Sequence, residues 1–340
     1  MLTPNSRIMS FTEALYNKAE NYFRQQNAGK YATGAFYLKN AILLITYILV
    51  YVFFVFFSQS FGELLLAAFI LGICHVFIPV NLSHDAIHGS ISPCKWINNW
   101  GLYGFEITGS NSYMYSKKHL EAHYNKENGS KTKAIESQGL LLQKHNASRT
   151  TNLPFISYLL YAQYMIFARD LILFFSSREA IPAKEFIKLF FFKLLYCIAF
   201  IILPFIYMKA PLWQIITALL FMYLIVTVVL VIILLMPTSK MENARMNDNK
   251  NAEEKWVIEI LEHNVDFSPK SILLNQIAGG ANLNVVHYLF HSANHMHYNK
   301  LATIIEETAN EYGLAYRKQQ VKDVFGIHFN YLKNIQSSNN

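Results

Sequence analysis

Four stretches of the chain are apolar over a length that suits a bilayer, and polar stretches of unequal size divide them. A helix needs about 20 apolar residues to cross the hydrocarbon core. The pattern predicts spans over about 41–57, 64–80, 186–208 and 212–236. The first is aromatic-rich and uncharged, and the second follows the tight link Ser58-Gln-Ser-Phe-Gly-Glu63. The third holds Lys188 and Lys193 near its start, from where a lysine can snorkel to the interface. The fourth ends at Pro237. Pro154–Phe175 is also apolar, but Gln163, Arg169 and Asp170 interrupt it. The expected fold class is all-α integral membrane.

The connections set the orientation. The links after the first and third spans are short, with Lys209 their one positive charge. The other polar segments hold Lys95, Lys117, Lys118, Lys126, Lys131, Lys133, Lys144 and Arg149, then Lys240, Arg245, Lys250 and Lys255. The positive-inside rule therefore places 1–40, 83–185 and 237–340 in the cytosol. The first forty residues are mostly polar, unlike a signal peptide, so the N-terminus is expected to be retained and cytosolic. A bacterial inner membrane or the endoplasmic reticulum is the expected location.

Composition narrows the picture further. The chain of 340 residues is 53% hydrophobic and only 15% charged, against about 25% charged in soluble domains. The net charge of +7 is spread over the loops rather than gathered in one run, so no nucleic-acid partner is expected. Cys74, Cys94 and Cys197 form no CxxC pair, which argues against a disulfide framework or a zinc finger.

Eight of the twelve histidines fall in three clusters: His84 and His88, His119 and His123, and His287, His291, His295 and His297. Imidazole is the commonest ligand for transition metals, and a spacing of four places two rings on one helix face. Taken alone, each HxxxH is a weak signal. Three of them on one predicted membrane face make a polynuclear metal site the stronger reading. An odd number of spans would separate the clusters across the bilayer, so Pro154–Phe175 is expected to be an interfacial helix. Asp85 can accept a hydrogen bond from a ligating imidazole, and Gly89 would let the backbone pass close to the site. The Glu-x-x-His pairs of soluble di-iron bundles and the His-Glu-x-x-His of zinc peptidases are both absent. His75 is expected to be a hydrogen-bonded core residue, and His145 and His328 surface residues.

The clusters resemble the three boxes of the membrane fatty acid desaturases, specifically the acyl-lipid branch: HDxxHGS, HNxxHHxYxN and QxxHHLFPxxxHxHYPxL. The first is intact as His84-Asp85-Ala86-Ile87-His88-Gly89-Ser90. The second reads His119-Leu120-Glu121-Ala122-His123-Tyr124-Asn125-Lys126-Glu127-Asn128. The third reads Asn284-Val285-Val286-His287-Tyr288-Leu289-Phe290-His291, then His295-Met296-His297-Tyr298. Tyr22-Phe23, Gly109-Ser-Asn-Ser-Tyr113, Val265-Asp266-Phe267 and Gly279-Gly280 also sit where that branch has similar residues, so the likeness covers nearly the whole chain, 1–340, as a single domain.

The resemblance implies four membrane helices, a cytosolic helical cap with a non-haem centre of two iron ions, and an acyl chain in a tunnel among the helices. The segment Trp256–His263 is similar to one where acyl-CoA desaturases supply a further ligand. On that likeness His263 ligates, and Glu259 binds metal or orients a water. The family-type ligands are then His84, His88, His119, His123, His263 and His287. Asp85, Glu259 and Asn284 would stand behind them.

The chain departs from the family twice in one way: His-His has become His-Tyr at His123-Tyr124 and His287-Tyr288. His291 stands where the family has Pro, and Asn284 where it has Gln. Three explanations remain open at this stage. His291 replaces a lost ligand, since i and i+4 share a helix face; Tyr124 or Tyr288 ligates as phenolate; or one metal is weakly held or absent. His295 and His297 are expected to contact the site's surroundings or to lie on a helix surface, without ligating.

The implied reaction is O2-dependent desaturation of a fatty acyl chain linked to lipid, CoA or carrier. An external electron donor of ferredoxin or cytochrome b5 type would supply electrons. Hydroxylation, acetylenation or ketolation on the same scaffold is the close rival, and a noncatalytic metal- or lipid-binding membrane protein the distant one.

Overall fold

The computed structural model describes residues 9–127, 160–177, 181–235, 252–320 and 322–323. His145 and His328 lie outside the described residues. The chain forms two compact units, Gly34–Ile233 and a second made of Met1–Thr33 with Leu234–Asn340.

In the first unit, four helices are long and apolar enough to cross a membrane: Gly34–Phe57, Phe61–Ile87, Ala183–Tyr207 and Leu212–Ile233. They coincide with the four expected spans. Ile42, Ile45 and Leu49 are each more than half exposed on the first helix, as a surface solvated by acyl tails requires. Ser60 caps the second, its hydroxyl accepting from Glu63 N at 3.2 Å. Pro79 cannot donate to the helical ladder, and the chain absorbs it by widening into a π-turn over Pro79–Ser83. It then resumes as a turn of helix at His84–Ile87, so the second span runs into the first histidine pair.

His75 is buried in that span. Its Nδ1 lies 2.7 Å from Leu71 O and its Nε2 3.0 Å from Tyr196 Oη. A carbonyl only accepts, so Nδ1 donates and the tyrosine hydroxyl donates to Nε2. This is the hydrogen-bonded core histidine the sequence suggested.

The lysines of the third span behave otherwise than expected. They turn inward instead of snorkelling. Lys188 Nζ reaches Glu106 Oε1 at 2.9 Å and Ser112 Oγ at 2.8 Å. Lys193 Nζ reaches Asp170 Oδ2 at 3.2 Å and Gly109 O at 2.5 Å, and also donates to Ile166 O. Glu106 and Asp170 are both fully buried. Removing Lys188 would take the ion-pair partner of Glu106 away in an apolar setting, whereas Asp170 would keep Arg169 at 2.7 Å. The described part of the interrupted apolar segment is helical from Tyr161 to Ser176. One face packs against the rest of the unit, with Phe174 against Met114 and Leu189 and Thr227 Oγ1 accepting from Ala162 N, while Ile172 and Phe175 are more than half exposed.

The second unit is built on helices whose buried positions recur every four residues. Phe11, Leu15 and Ala19 of Phe11–Arg24, Val257 and Leu261 of Ala252–His263, and Leu301, Ile305 and Ala309 of Tyr298–Glu311 share one apolar core. Ser10 and Glu13 close a reciprocal capping box at the first of these. A two-residue strand, Asp266–Phe267, pairs in parallel with Lys318–Gln319.

Candidate metal centre

In the first unit three imidazoles converge on one ring nitrogen of a fourth. His119 Nε2 lies 3.2 Å from His84 Nε2, 2.9 Å from His88 Nε2 and 3.2 Å from His123 Nε2. One ring nitrogen makes a single hydrogen bond, as donor or as acceptor. It cannot satisfy three neighbours at this range. Ligands around one ion at about 2.0–2.1 Å stand roughly 3 Å apart, so the donor set fits a metal where it does not fit a hydrogen-bond network. All-nitrogen donors of this kind suit zinc, copper, iron and nickel.

Local structure explains the convergence. His84 opens the helical turn His84–Ile87 and His88 closes it. Ser90 folds back on the turn, its N at 3.0 Å and Oγ at 3.1 Å from Asp85 O. Gly89 is left-handed at φ +64°, and an added Cβ would meet nothing within 4 Å. Conformation, rather than the close approach expected, asks for glycine there. Asp85 is buried.

His119 and His123 ride one face of the helix Ser112–Glu127. Its start is held by Asn111 Oδ1, which accepts from Met114 N at 3.0 Å. Glu106 Oε1 accepts from Ser112 N at 3.1 Å and Ser112 Oγ at 2.7 Å. The side chain of Tyr124 lies outside the described residues.

The second unit holds the remaining candidates. His263 ends the helix Ala252–His263, with half-buried Glu259 one turn before it. Asn284 Nδ2 donates to Asn264 Oδ1 at 3.1 Å, tying the start of Asn284–Leu289 to the end of the His263 helix. His287 lies in the last turn of that short helix, and its Nδ1 stands 3.1 Å from Tyr298 Oη. The helix stops at Leu289. His291 therefore does not share a helix face with His287, and the i, i+4 argument for it as a substitute ligand fails. Tyr288 belongs to the apolar core, and burial pushes its phenol well above the usual range. Without a bound metal ion, that environment disfavours the phenolate.

His295 and His297 are buried, not on a helix surface. His297 Nε2 donates to Tyr31 O at 2.9 Å, which leaves Nδ1 to accept from Tyr22 Oη at 2.9 Å. This histidine pins the N-terminal segment.

Sequence reasoning missed Tyr298, Glu106 and Asp170. The last two did leave a trace, as lone carboxylates in the apolar runs Phe105-Glu106-Ile107 and Asp170-Leu171-Ile172.

The helical spans and the histidine centre define a membrane metalloprotein, and comparison with known proteins gives its family. The Fatty acid desaturase family profile matches residues 60–320, and the chain belongs to that family. It is thus an oxidoreductase. Among curated relatives, the chain is 26% identical over 333 residues to the sn-1 linoleoyl-lipid 6-desaturase of Arthrospira platensis, covering 92% of this chain and 89% of the relative. It is 22% identical over 323 residues to the protein of the same name from Synechocystis sp., covering 90% of each. It is 24% identical over 347 residues to the acyl-lipid (8-3)-desaturase of Physcomitrium patens, covering 94% of this chain and 70% of the relative.

Proposed function

We propose that the protein desaturates a fatty acyl chain esterified in a membrane lipid, near the carboxyl end of that chain. The relatives' names support the lipid linkage and the position, two of them naming a linoleoyl lipid and position 6. The observation that carries the metal reading is the convergence of three imidazoles on His119 Nε2.

Two non-haem iron ions would be held by His84, His88, His119 and His123, with His263 and His287 completing the set as the family likeness implies. When bound, such a centre supplies O2-derived oxidising power for removing two hydrogens from adjacent methylenes, with two external electrons and two protons balancing reduction of O2 to two waters. The protein's share is positioning and dryness. The spans supply an apolar setting for the chain, and Tyr298 Oη, by accepting from His287 Nδ1, would leave the Nε2 lone pair free for a metal. A ferredoxin or cytochrome b5 type protein would deliver the electrons. The distribution of Lys and Arg supports a cytosolic position for both termini and for the centre.

Expression in a host lacking the activity, followed by lipid mass spectrometry and iron quantification, tests this reading. Loss of two hydrogens from a lipid-bound acyl chain, with about two irons per chain, is expected. Gain of one oxygen would replace desaturation by hydroxylation. Markedly less than one iron per purified chain would sink the di-iron reading.

A further inference from the structure

We propose that Tyr115 and Arg169 form a clamp that sets the plane of the His119 ring. The inference rests on the reading of His119 as a metal ligand. Neither residue supplies a ligating atom; both are positioning residues.

Tyr115 lies one helical turn before His119, and the two rings are stacked at 20° with centroids 5.8 Å apart. Phe105 covers Tyr115 at 4.5 Å between centroids. The Arg169 guanidinium carbon stands over the Tyr115 ring, 5.8 Å from its centroid, an attraction between a cation and the electron-rich ring face. Arg169 is itself fixed. Its Nε and Nη2 donate to Asp170 Oδ1 at 3.0 and 2.7 Å, and Asp170 Oδ2 is also 3.2 Å from Lys193 Nζ. Only 14% of the Arg169 side chain is exposed and none of Asp170.

The clamp falls on the residue where ring orientation matters most. The second side-chain torsion of histidine is broad and soft, so packing rather than torsional preference must fix the plane of the imidazole. His119 Nε2 is the atom near which His84, His88 and His123 meet. A rotation of that one ring changes all three distances together. Stacking on a tyrosine held by a buried, paired arginine removes this freedom before any ion arrives, the preorganisation that outer-shell groups give a metal site.

The test is a titration of the metal-free, full-length protein in detergent with Co(II) alone, read as affinity and as the visible absorption of the bound ion. Tyr115→Phe keeps the ring and should bind within about twofold of wild type, with an unchanged spectrum. Tyr115→Leu should weaken binding by about tenfold or more and shift the absorption bands, which mere loss of stability would not do. Arg169→Gln leaves Tyr115 in place and should shift the same bands with a smaller loss of affinity; it carries the test if the Leu variant does not fold. Wild-type affinity and spectrum in both Tyr115→Leu and Arg169→Gln overturn the clamp, as does a Phe variant that falls as far as Leu. His119→Ala in the same titration separates the two readings. If it binds Co(II) as wild type does, the ligand assignment itself is wrong; if it loses binding while the Tyr115 and Arg169 variants keep it, only the clamp is.

Discussion

The hydroxyl of Tyr298 stands 3.1 Å from Nδ1 of His287. If Nδ1 carries the proton and donates it to that oxygen, Nε2 keeps its lone pair for a metal. Tyr298→Phe keeps the buried ring and removes this partner. Iron affinity should fall about 10–100-fold, while the melting temperature of the metal-free protein changes by the equivalent of about 1 kcal/mol. Iron content after dialysis against graded chelator, measured beside thermal unfolding, checks both parts.

Gly280 has φ +85°, and a Cβ there would lie 2.8 Å from ring atoms of Tyr298 and 2.9 Å from His295 Cβ. Both conformation and space demand glycine. Gly280→Ala should destabilise by more than about 1 kcal/mol and also lower iron affinity by displacing Tyr298. Unfolding and iron content that both match wild type would contradict this.

Asp266 is completely buried. It accepts from Val285 N and Tyr316 Oη, each at 2.6 Å. Burial pushes its carboxyl up to about 7 from 3.8, although the bonds from Tyr316 and from the Val285 and Val286 amides pull the other way. Its folded form therefore holds a proton that the unfolded chain has released. This contribution to stability is complete below about pH 4, is lost between about 4 and 7, and is constant above that. Asp266→Asn should flatten that slope, seen as melting temperature against pH for the two proteins. A slope that persists in the variant would assign it to another group.

Glu106 is fully buried and Lys188 23% exposed, with their charges 2.9 Å apart. Lys188→Met would strand the carboxylate, and the cost should fall at or below the lower end of ~3–5 kcal/mol, because the lysine keeps some water. Adding Glu106→Gln should recover much of the loss, since Gln still caps Ser112. A double-mutant cycle in detergent measures this coupling; additive losses would show that the pair contributes nothing.

What was legible in the sequence was whatever repeats at short range. Continuous apolar runs marked the spans, and HxxxH spacing marked His84 with His88 and His119 with His123. Two of the misses come from pairing across long separations, and the others from where the chain leaves a helix or turns. Lys188 finds Glu106 and Lys193 finds Asp170 only once the helices pack, so from the sequence both lysines looked like interface residues. His291 looked helical with His287 because the apolar run continues to Phe290, whereas the chain leaves the helix after Leu289. Tyr298 sits eleven residues from the histidine it supports, beyond a turn that no periodicity marks.

The unbroken passage from Phe61 through the π-turn at Pro79–Ser83 to His84 makes the second span a fixed-length post with imidazoles at its tip. Adding one residue below His84 would raise the tip by about 1.5 Å and swing it by about 100°, aiming His84 and His88 away from His119. Hydrophobic length and metal chemistry are thus written into the same helix. Adaptation of this protein to a thicker or thinner membrane would have to come from tilt, or from whole turns, and not from single insertions.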